Sequence, residues 1–147
     1  MVEFKHKQAY NPEGEEVSFT IASGPVIIKD KKVLLNKHDD PFWKFPGGSV
    51  KSQDSIRQAC IREVKEEVGL DIEIINEEPY VVCFDHDYNG KREHVLLFHF
   101  LSKISNEELK LGEDVEDSRF FSLDLLPEDL APNIKPVLNY FKSKKLI

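Results

Sequence analysis

The feature of this sequence that most constrains its fold is a helical stripe between Ser52 and Val68. Apolar or small side chains recur there at intervals of three and four residues, as a helix with one buried face requires. The stripe consists of Ile56, Ala59, Cys60, Glu63, Val64, Glu67 and Val68. Ser52 or Asp54 is expected to cap the start of this helix, and Gly69 is expected to end it in a left-handed conformation.

Two glutamates interrupt the apolar stripe, and a third lies beside them. At about 100° per residue, Glu63, Glu66 and Glu67 point to one edge of the helix. Their charges repel one another, burial increases that cost, and the end of the helix dipole disfavours them. A Mg²⁺ ion accounts for such a cluster, because it accepts carboxylate oxygens together with waters and phosphates. The alternative is a solvated acidic face on a helix that is rolled outward.

Strand patterns surround this helix. Apolar runs between residues 16 and 38 predict two strands. Shorter strands are predicted at residues 71–75, 80–84, 95–101 and 120–121, with a tight turn at Asn89-Gly90 and a second helix over residues 134–144. Because strands and helices interleave, the fold class is α/β or α+β.

Composition narrows the class of protein further. The 147 residues are the length of a single domain, so we expect one domain over residues 1–147. The net charge of −7 disfavours sequence-independent binding to a nucleic-acid backbone. No apolar run approaches the about 18 residues that span a bilayer, and the N-terminus lacks the apolar core of a signal peptide. The two cysteines, Cys60 and Cys83, fit neither a disulfide framework nor a zinc site, which favours a cytoplasmic protein with reduced thiols.

The residues around the glutamates form a longer pattern. They read Gly48-x5-Asp54-x7-Arg62-Glu63-Val64-x-Glu66-Glu67-x-Gly69-Leu70. This pattern resembles the box of the Nudix hydrolases, G-x5-E-x7-R-E-U-x-E-E-x-G-U, where U is a bulky aliphatic residue. The single departure is Asp54, which stands where the box has Glu. The stretches 43–48 and 119–127 are similar to weaker family features, so the resemblance extends over about residues 17–144.

The resemblance implies a fold and a reaction. The fold is an α/β/α sandwich with a mixed β-sheet and a loop-helix-loop catalytic motif. The reaction is the metal-dependent hydrolysis of a pyrophosphate bond in a nucleoside diphosphate linked to another group, by attack of water on phosphorus. By the family's pattern, Glu63, Glu66 and Glu67 hold Mg²⁺ together with Gly48, and Mn²⁺ is a possible substitute. Gly47 and Gly48 let the backbone approach the substrate closely.

Arg62 is the remaining charged residue of the box. In the family it braces the loop by pairing with the first acidic residue, and Asp54 can still make that pair at a closer approach. Arg62 therefore belongs to the expected catalytic residues.

The general base is expected outside the box. A carboxylate that ligates a metal loses basicity, and several Nudix enzymes take their base from a later loop. The acidic loop at residues 113–117 is the natural source, with Glu116 preferred and Glu113 second. The alternatives are a solvated acidic turn or a base within the box, Glu63.

The substrate is less constrained than the reaction. Phe84 and Tyr88 are candidates to stack on a base, with Phe42 as a further one, and Arg92 and Lys91 are candidates to contact phosphate. The alternative is that the aromatic residues pack in the core and the basic pair is a solvated turn. Histidines 86, 94 and 99 lack a metal-ligand spacing and are interpreted as ordinary strand residues.

Several substrate classes therefore stay open. Tyr88 follows Leu70 at a spacing similar to that of dinucleoside polyphosphate hydrolases. Nucleotide sugars and oxidised nucleoside triphosphates are the other candidates. A small-molecule substrate, no nucleic-acid or membrane partner, and a monomer or homodimer are expected. The alternative from a different class is a non-catalytic, Nudix-like nucleotide-sensing or interaction module.

Overall fold

The computed structural model describes residues 9–106 and 108–147, except for the side chains of His86 and Tyr88. In these ranges the elements are β1 (Ala9–Tyr10), β2 (Glu16–Ser23), β3 (Val26–Lys29), β4 (Lys32–Lys37), β5 (Trp43–Lys44), β6 (Gly48–Ser49), α1 (Ile56–Val68), β7 (Ile72–Ile74), β8 (Tyr80–Tyr88), β9 (Lys91–His99), β10 (Leu101–Ile104), β11 (Asp117–Ser122) and α2 (Ile134–Ser143). Neither helix is long and apolar enough to cross a membrane.

The strands form two mixed sheets, whereas the resemblance implied a single mixed sheet. The first has the order β1-β2-β9-β8, with β6 paired to β2. The second has the order β11-β4-β3-β10-β7, with β5 paired to β4. The pairs β2/β9 and β3/β10 are parallel, and the other paired neighbours are antiparallel.

Alternation along β3 and β4 directs side chains to both faces of the second sheet. Val26 and Val33 pack with the apolar face of α2. Ile27 and Leu34 pack instead with the stripe of α1, which includes Cys60. Burial in this core raises the pKa of the Cys60 thiol to about 12. The second sheet is thus covered by a helix on each face, and the α/β/α sandwich is confirmed.

Helix α1 begins later than the predicted caps. Ser55 is its N-cap: the Ser55 hydroxyl accepts from the N–H of Gln58 at 3.1 Å, and the N–H of Ser55 donates to Oε1 of Gln58 at 2.7 Å. The prediction of Ser52 or Asp54 is wrong because the Asp54 carboxylate pairs with a side chain of the helix, as described below. Gly69 ends the helix at φ 71° as predicted.

The chain crosses from the first sheet to the second at two adjacent places. The predicted strand over residues 95–101 is divided, because β9 ends at His99 in the first sheet and β10 begins at Leu101 in the second. Strand β2 likewise ends at Ser23 and β3 begins at Val26. Because β2 pairs with β9 and β3 with β10, both crossings lie side by side. His99 and Gly24 therefore meet where the two sheets join.

The turn at Asn89-Gly90 connects β8 and β9 as predicted, with φ values of 50° and 77°. Both strands are longer than the sequence pattern indicated. Their outer halves extend beyond the core, where alternating apolar residues give way to charged ones.

Candidate active site

Helix α1 directs the three box glutamates to one edge, next to β4 and the loop before β6. The Glu63 side chain is 14% exposed, whereas that of Glu66 is 52% exposed. Glu67 is held by two hydrogen bonds: its Oε2 accepts from Nδ2 of Asn36 at 2.9 Å and from the N–H of Gly47 at 3.2 Å. Burial raises the pKa of Glu67, and these two hydrogen bonds oppose that shift.

Ser118 and Asn36 form a chain of hydrogen bonds to Glu67, a relay that was not predicted from the sequence. The two residues are register partners on β4 and β11, and Asn36 is fully buried. The Ser118 hydroxyl donates to Oδ1 of Asn36 at 2.7 Å, so the Asn36 amide group turns its Nδ2 donor toward Glu67. The available signal was a polar residue directly after the apolar run 33–35, at a position that is buried with that run.

Arg62 lies at the centre of the charged groups. Its Nε and Nη2 donate to Oδ2 of Asp54 at 3.1 and 2.8 Å, so the shortened acid of the box reaches the arginine. Its Nη1 donates to Oε1 of Glu63 at 2.8 Å and approaches Glu66 at 3.4 Å. The hydrogen bond to Asp54 is the largest cause of the raised pKa of Arg62, which keeps the guanidinium charged.

Gly47 and Gly48 lie where no side chain fits. Gly47 has φ 145°, and a Cβ atom there would lie 1.9 Å from the carbonyl oxygen of Ser23. A Cβ atom on Gly48 would lie 2.6 Å from the carboxyl carbon of Glu63. The two glycines thus bring bare backbone against the carboxylates of α1.

A cavity of about 260 Å³ lies beside the glutamates. It is lined by His38, Glu63, Glu66, Glu67 and residues 112–115. Glu113 of the acidic loop therefore faces the same cavity as the box. Glu116 lines an adjoining cavity of about 360 Å³ together with Glu113 and His38. The loop is tied to β4, since Nδ1 of His38 donates to the carbonyl oxygen of Asp114 at 2.8 Å and the N–H of Glu116 donates to that of Lys37 at 2.9 Å.

A third, more apolar cavity of about 360 Å³ adjoins Gly47 and Gly48. Phe42 and Phe84 line it and remain 45% and 41% exposed, whereas Phe45 in the same lining is 7% exposed. Neither Phe42 nor Phe84 is therefore a core residue, which was the alternative to a role in stacking. The structure thus brings Phe84, Gly47 and Gly48 together.

The structure places Arg92 elsewhere. It pairs with Asp85, and its Nε lies 3.5 Å from Glu15. These residues line a separate cavity near β1, and not the cavity of the box glutamates or the cavity of Phe42 and Phe84. The side chain of Tyr88, also predicted to bind substrate, lies outside the described residues.

The donor set of the box suits a hard divalent cation. The carboxylates of Glu63, Glu66 and Glu67 and the backbone of Gly48 supply only oxygen ligands, and the glycine leaves open the space that a Cβ would fill. Among the described residues, no three acidic, His or Cys side chains are already arranged around one point. Arg62 instead pairs with Glu63 at 2.8 Å and with Glu66 at 3.4 Å.

Comparison with known proteins places this geometry in a family. The model of the NUDIX domain matches residues 19–141. The chain is 32% identical to an ADP-ribose pyrophosphatase of Methanocaldococcus jannaschii over 128 residues, which cover 84% of this chain and 74% of that protein. It is 39% identical to an RNA pyrophosphohydrolase of Campylobacter jejuni, with 97% of this chain and 99% of that protein covered. The crystal structure of a MutT NUDIX hydrolase from Burkholderia pseudomallei matches with a TM-score of 0.68 at 26% identity, over 83% of this chain and 97% of that one. The chain therefore belongs to the Nudix hydrolase family.

Proposed function

We propose that this protein hydrolyses a pyrophosphate bond in a small nucleotide, with the phosphates beside Glu63 and Glu67 and the nucleoside in the cavity of Phe42 and Phe84. The observation that carries this proposal is the position of Gly47 and Gly48. They adjoin the glutamates on one side and line the aromatic cavity on the other. A pyrophosphate lying along this bare backbone reaches both.

The residues that would hold the cation are Glu63, Glu66, Glu67 and the backbone of Gly48. When bound, a divalent ion such as Mg²⁺, or Mn²⁺ in its place, neutralises the phosphates and lowers the pKa of a ligating water. Asn36 and the N–H of Gly47 fix Glu67 through Oε2, which leaves its Oε1 for other partners. Arg62 holds Glu63 in place and offsets the repulsion among the carboxylates.

For the general base, the structure favours Glu113 over Glu116. Glu113 lines the cavity of the box glutamates, whereas Glu116 faces the adjoining cavity. A base must come within hydrogen-bond reach of the attacking water, directly or through a second water, so position in the same cavity is the first requirement. The His38 and Lys37 contacts hold the loop near the site in either case.

The substrate class is a small nucleotide. The two relatives named above act, by their names, on ADP-ribose and on RNA, so kinship alone selects neither for this chain. The net charge of −7 and the acidic loop beside the site disfavour a long phosphate backbone, which relies on a basic surface. Short substrates that place one base against Phe42 and Phe84 are compatible with both cavities.

The experiment is a hydrolysis panel with product identification. ADP-ribose, diadenosine tetraphosphate, a nucleotide sugar, 8-oxo-dGTP and a 5′-triphosphorylated RNA oligonucleotide are each incubated with Mg²⁺ or Mn²⁺. We expect metal-dependent cleavage of at least one small nucleotide in preference to the RNA. Tight binding without turnover of any substrate would support the sensing module instead.

Matched variants connect that activity to the site. Glu67→Gln is expected to lower kcat by several orders of magnitude, whereas Glu73→Gln, an exposed glutamate on β7 paired with Lys103, is expected to leave it unchanged. Glu113→Gln is expected to lower kcat about 10²- to 10⁴-fold with Mg²⁺ affinity little changed, which is the usual range for a lost general base. A larger loss of kcat in Glu116→Gln than in Glu113→Gln would favour Glu116 as the base, as the sequence predicted. Near-normal kcat in both variants would indicate a base within the box.

A further inference from the structure

His99 is a buried histidine at the junction of the two sheets that the reaction described above does not use. It is the last residue of β9 and has no exposed surface. Its Nδ1 lies 2.6 Å from the carbonyl oxygen of Gly24, and its ring meets the Phe45 ring at a centroid distance of 5.2 Å and an angle of 60°. A Cβ atom on Gly24 would lie 3.1 Å from the imidazole ring, so a larger residue at position 24 would crowd the ring.

The contact with Gly24 determines which ring nitrogen carries hydrogen. A carbonyl oxygen only accepts, so Nδ1 must be the donor. Burial lowers the pKa of His99 to about 4, so at neutral pH the ring is uncharged and has one N–H. Nε2 therefore carries a lone pair and acts as an acceptor.

That acceptor lacks a partner within the described structure. Among the described residues, the buried side-chain N and O atoms without a hydrogen bond are Nε2 of His99 and Oγ of Ser23. Buried polar atoms of native proteins almost always have a partner, so an unsatisfied one indicates a ligand or a water. Both residues line the cavity of Phe42 and Phe84. The Ser23 hydroxyl can donate or accept, whereas Nε2 can only accept.

We infer that His99 is a specificity-determining residue, whose Nε2 accepts a hydrogen bond from an N–H of the nucleobase held in this cavity. The inference rests on the proposed function, because it takes the substrate to be a nucleotide with its base beside Phe42 and Phe84. Gly24 fixes the tautomer, so Nε2 repels a carbonyl oxygen and selects the base edge that presents an N–H. Selection by a buried, directional acceptor of this kind is strong, since a base without the donor leaves Nε2 unpaired.

Two other donors compete with the base as partners of Nε2. One is a ribose hydroxyl, and the other is a permanently bound water, for which His99 would be a structural residue. The first predicts loss of the hydrogen bond in 2′-deoxy analogues, and the second predicts that no analogue affects Nε2.

The test begins with the unmodified protein. The ¹⁵N resonance of Nε2 is followed by NMR while α,β-methylene analogues of ADP, CDP, GDP and UDP are added. We expect the shift of an unprotonated nitrogen in the free protein and an upfield change with at least one base. The change should persist with the 2′-deoxy analogue of that base and disappear when its N–H groups are methylated.

Affinities of two variants complete the test. Methylation of the base is expected to weaken binding about 10- to 100-fold in the unmodified protein and less than threefold in His99→Phe, which keeps an aromatic ring without the acceptor. His94→Phe is the matched control, since His94 lies on the same strand and stacks on Phe19 outside this cavity, and it should behave as the unmodified protein.

Several results would overturn the inference. An Nε2 resonance unchanged by every analogue would assign the partner to water, and loss with the 2′-deoxy analogue would assign it to ribose. Should His99→Phe fail to fold, the NMR titration still decides. An Nε2 response without any hydrolysis in the panel would contradict the proposed function alone, and hydrolysis without that response would contradict this inference alone.

Discussion

The pairing of Arg62 with Asp54 makes a quantitative prediction about the stability of the catalytic motif. Asp54 is one methylene shorter than the glutamate of the family's box, yet it accepts two hydrogen bonds from the guanidinium, at 3.1 and 2.8 Å. Both converge on one oxygen, and each side chain is 24% exposed. The pair is thus intermediate between a surface ion pair, about 0.2–1 kcal/mol, and a buried one, about 3–5 kcal/mol when broken.

From these limits we expect a coupling energy of about 1–2 kcal/mol between the two side chains. Asp54→Ala should lower the free energy of unfolding by about 1–2 kcal/mol. Arg62→Ala should cost about 2–3 kcal/mol, because Glu63 then loses its cation as well. The double variant should therefore cost about 2–3 kcal/mol, less than the sum of the single changes.

Urea denaturation without divalent cations measures all four free energies. The matched control is the cycle of Lys65→Ala and Asp71→Ala, a pair at 3.1 Å between α1 and the residue before β7, whose side chains are 55% and 59% exposed. Its coupling should stay below about 1 kcal/mol. If the Arg62–Asp54 cycle were additive within about 0.3 kcal/mol, the shorter acid would not brace the loop, and the reasoning would be refuted.

Two further predictions concern the buried polar groups. Ser118→Ala should let the Asn36 amide rotate and weaken its hydrogen bond to Glu67, so that half-maximal activity requires severalfold more Mg²⁺; an unchanged Mg²⁺ titration would contradict the relay. For His99, the pKa of about 4 in the folded chain lies below the ordinary value of about 6.5, so the unfolded chain binds more protons between these pH values. The contribution of neutral His99 to the free energy of unfolding is fully present above pH about 6.5 and is lost as the pH falls, by about 2 kcal/mol from pH 7 to 5. Urea denaturation at both pH values should show this loss in the unmodified protein and its absence in His99→Phe.

The acidic edge of α1 was predictable because it is local. Glu63, Glu66 and Glu67 lie within five residues of one helix, so helical spacing alone directs them to one edge. The glycine that ends α1 was predictable for the same reason. The N-cap was missed although its signal is also local, since Ser55 and Gln58 form the pair that completes a capping box, while Asp54 is occupied by Arg62.

The supporting groups were not predictable, because their partners are distant along the chain. Asn36 meets Ser118 across 82 residues, and its role depends on the register of β4 against β11. His99 meets Gly24 across 75 residues, and the contact exists only because two parallel strand pairs cross between sheets at the same level. The alternation of apolar residues identifies a strand but not its pairing partner, so His99 was interpreted as an ordinary strand residue.

The cavity of the box glutamates and the cavity of Phe42 and Phe84 differ in how freely their linings can vary. This difference explains why the reaction could be predicted from the sequence and the substrate could not. Around the glutamates, like charges and close backbone permit few residue types: a Cβ on Gly48 alone would collide with Glu63. Apart from Gly47 and Gly48, the aromatic cavity is lined by residues from β2, β5, β8, β9, the loop before β5 and the segment before α2. Such a lining can change its polar groups one at a time without disturbing the acidic edge of α1. Selectivity in this chain should accordingly be altered by substitutions at His99 that leave the metal dependence of the reaction unchanged.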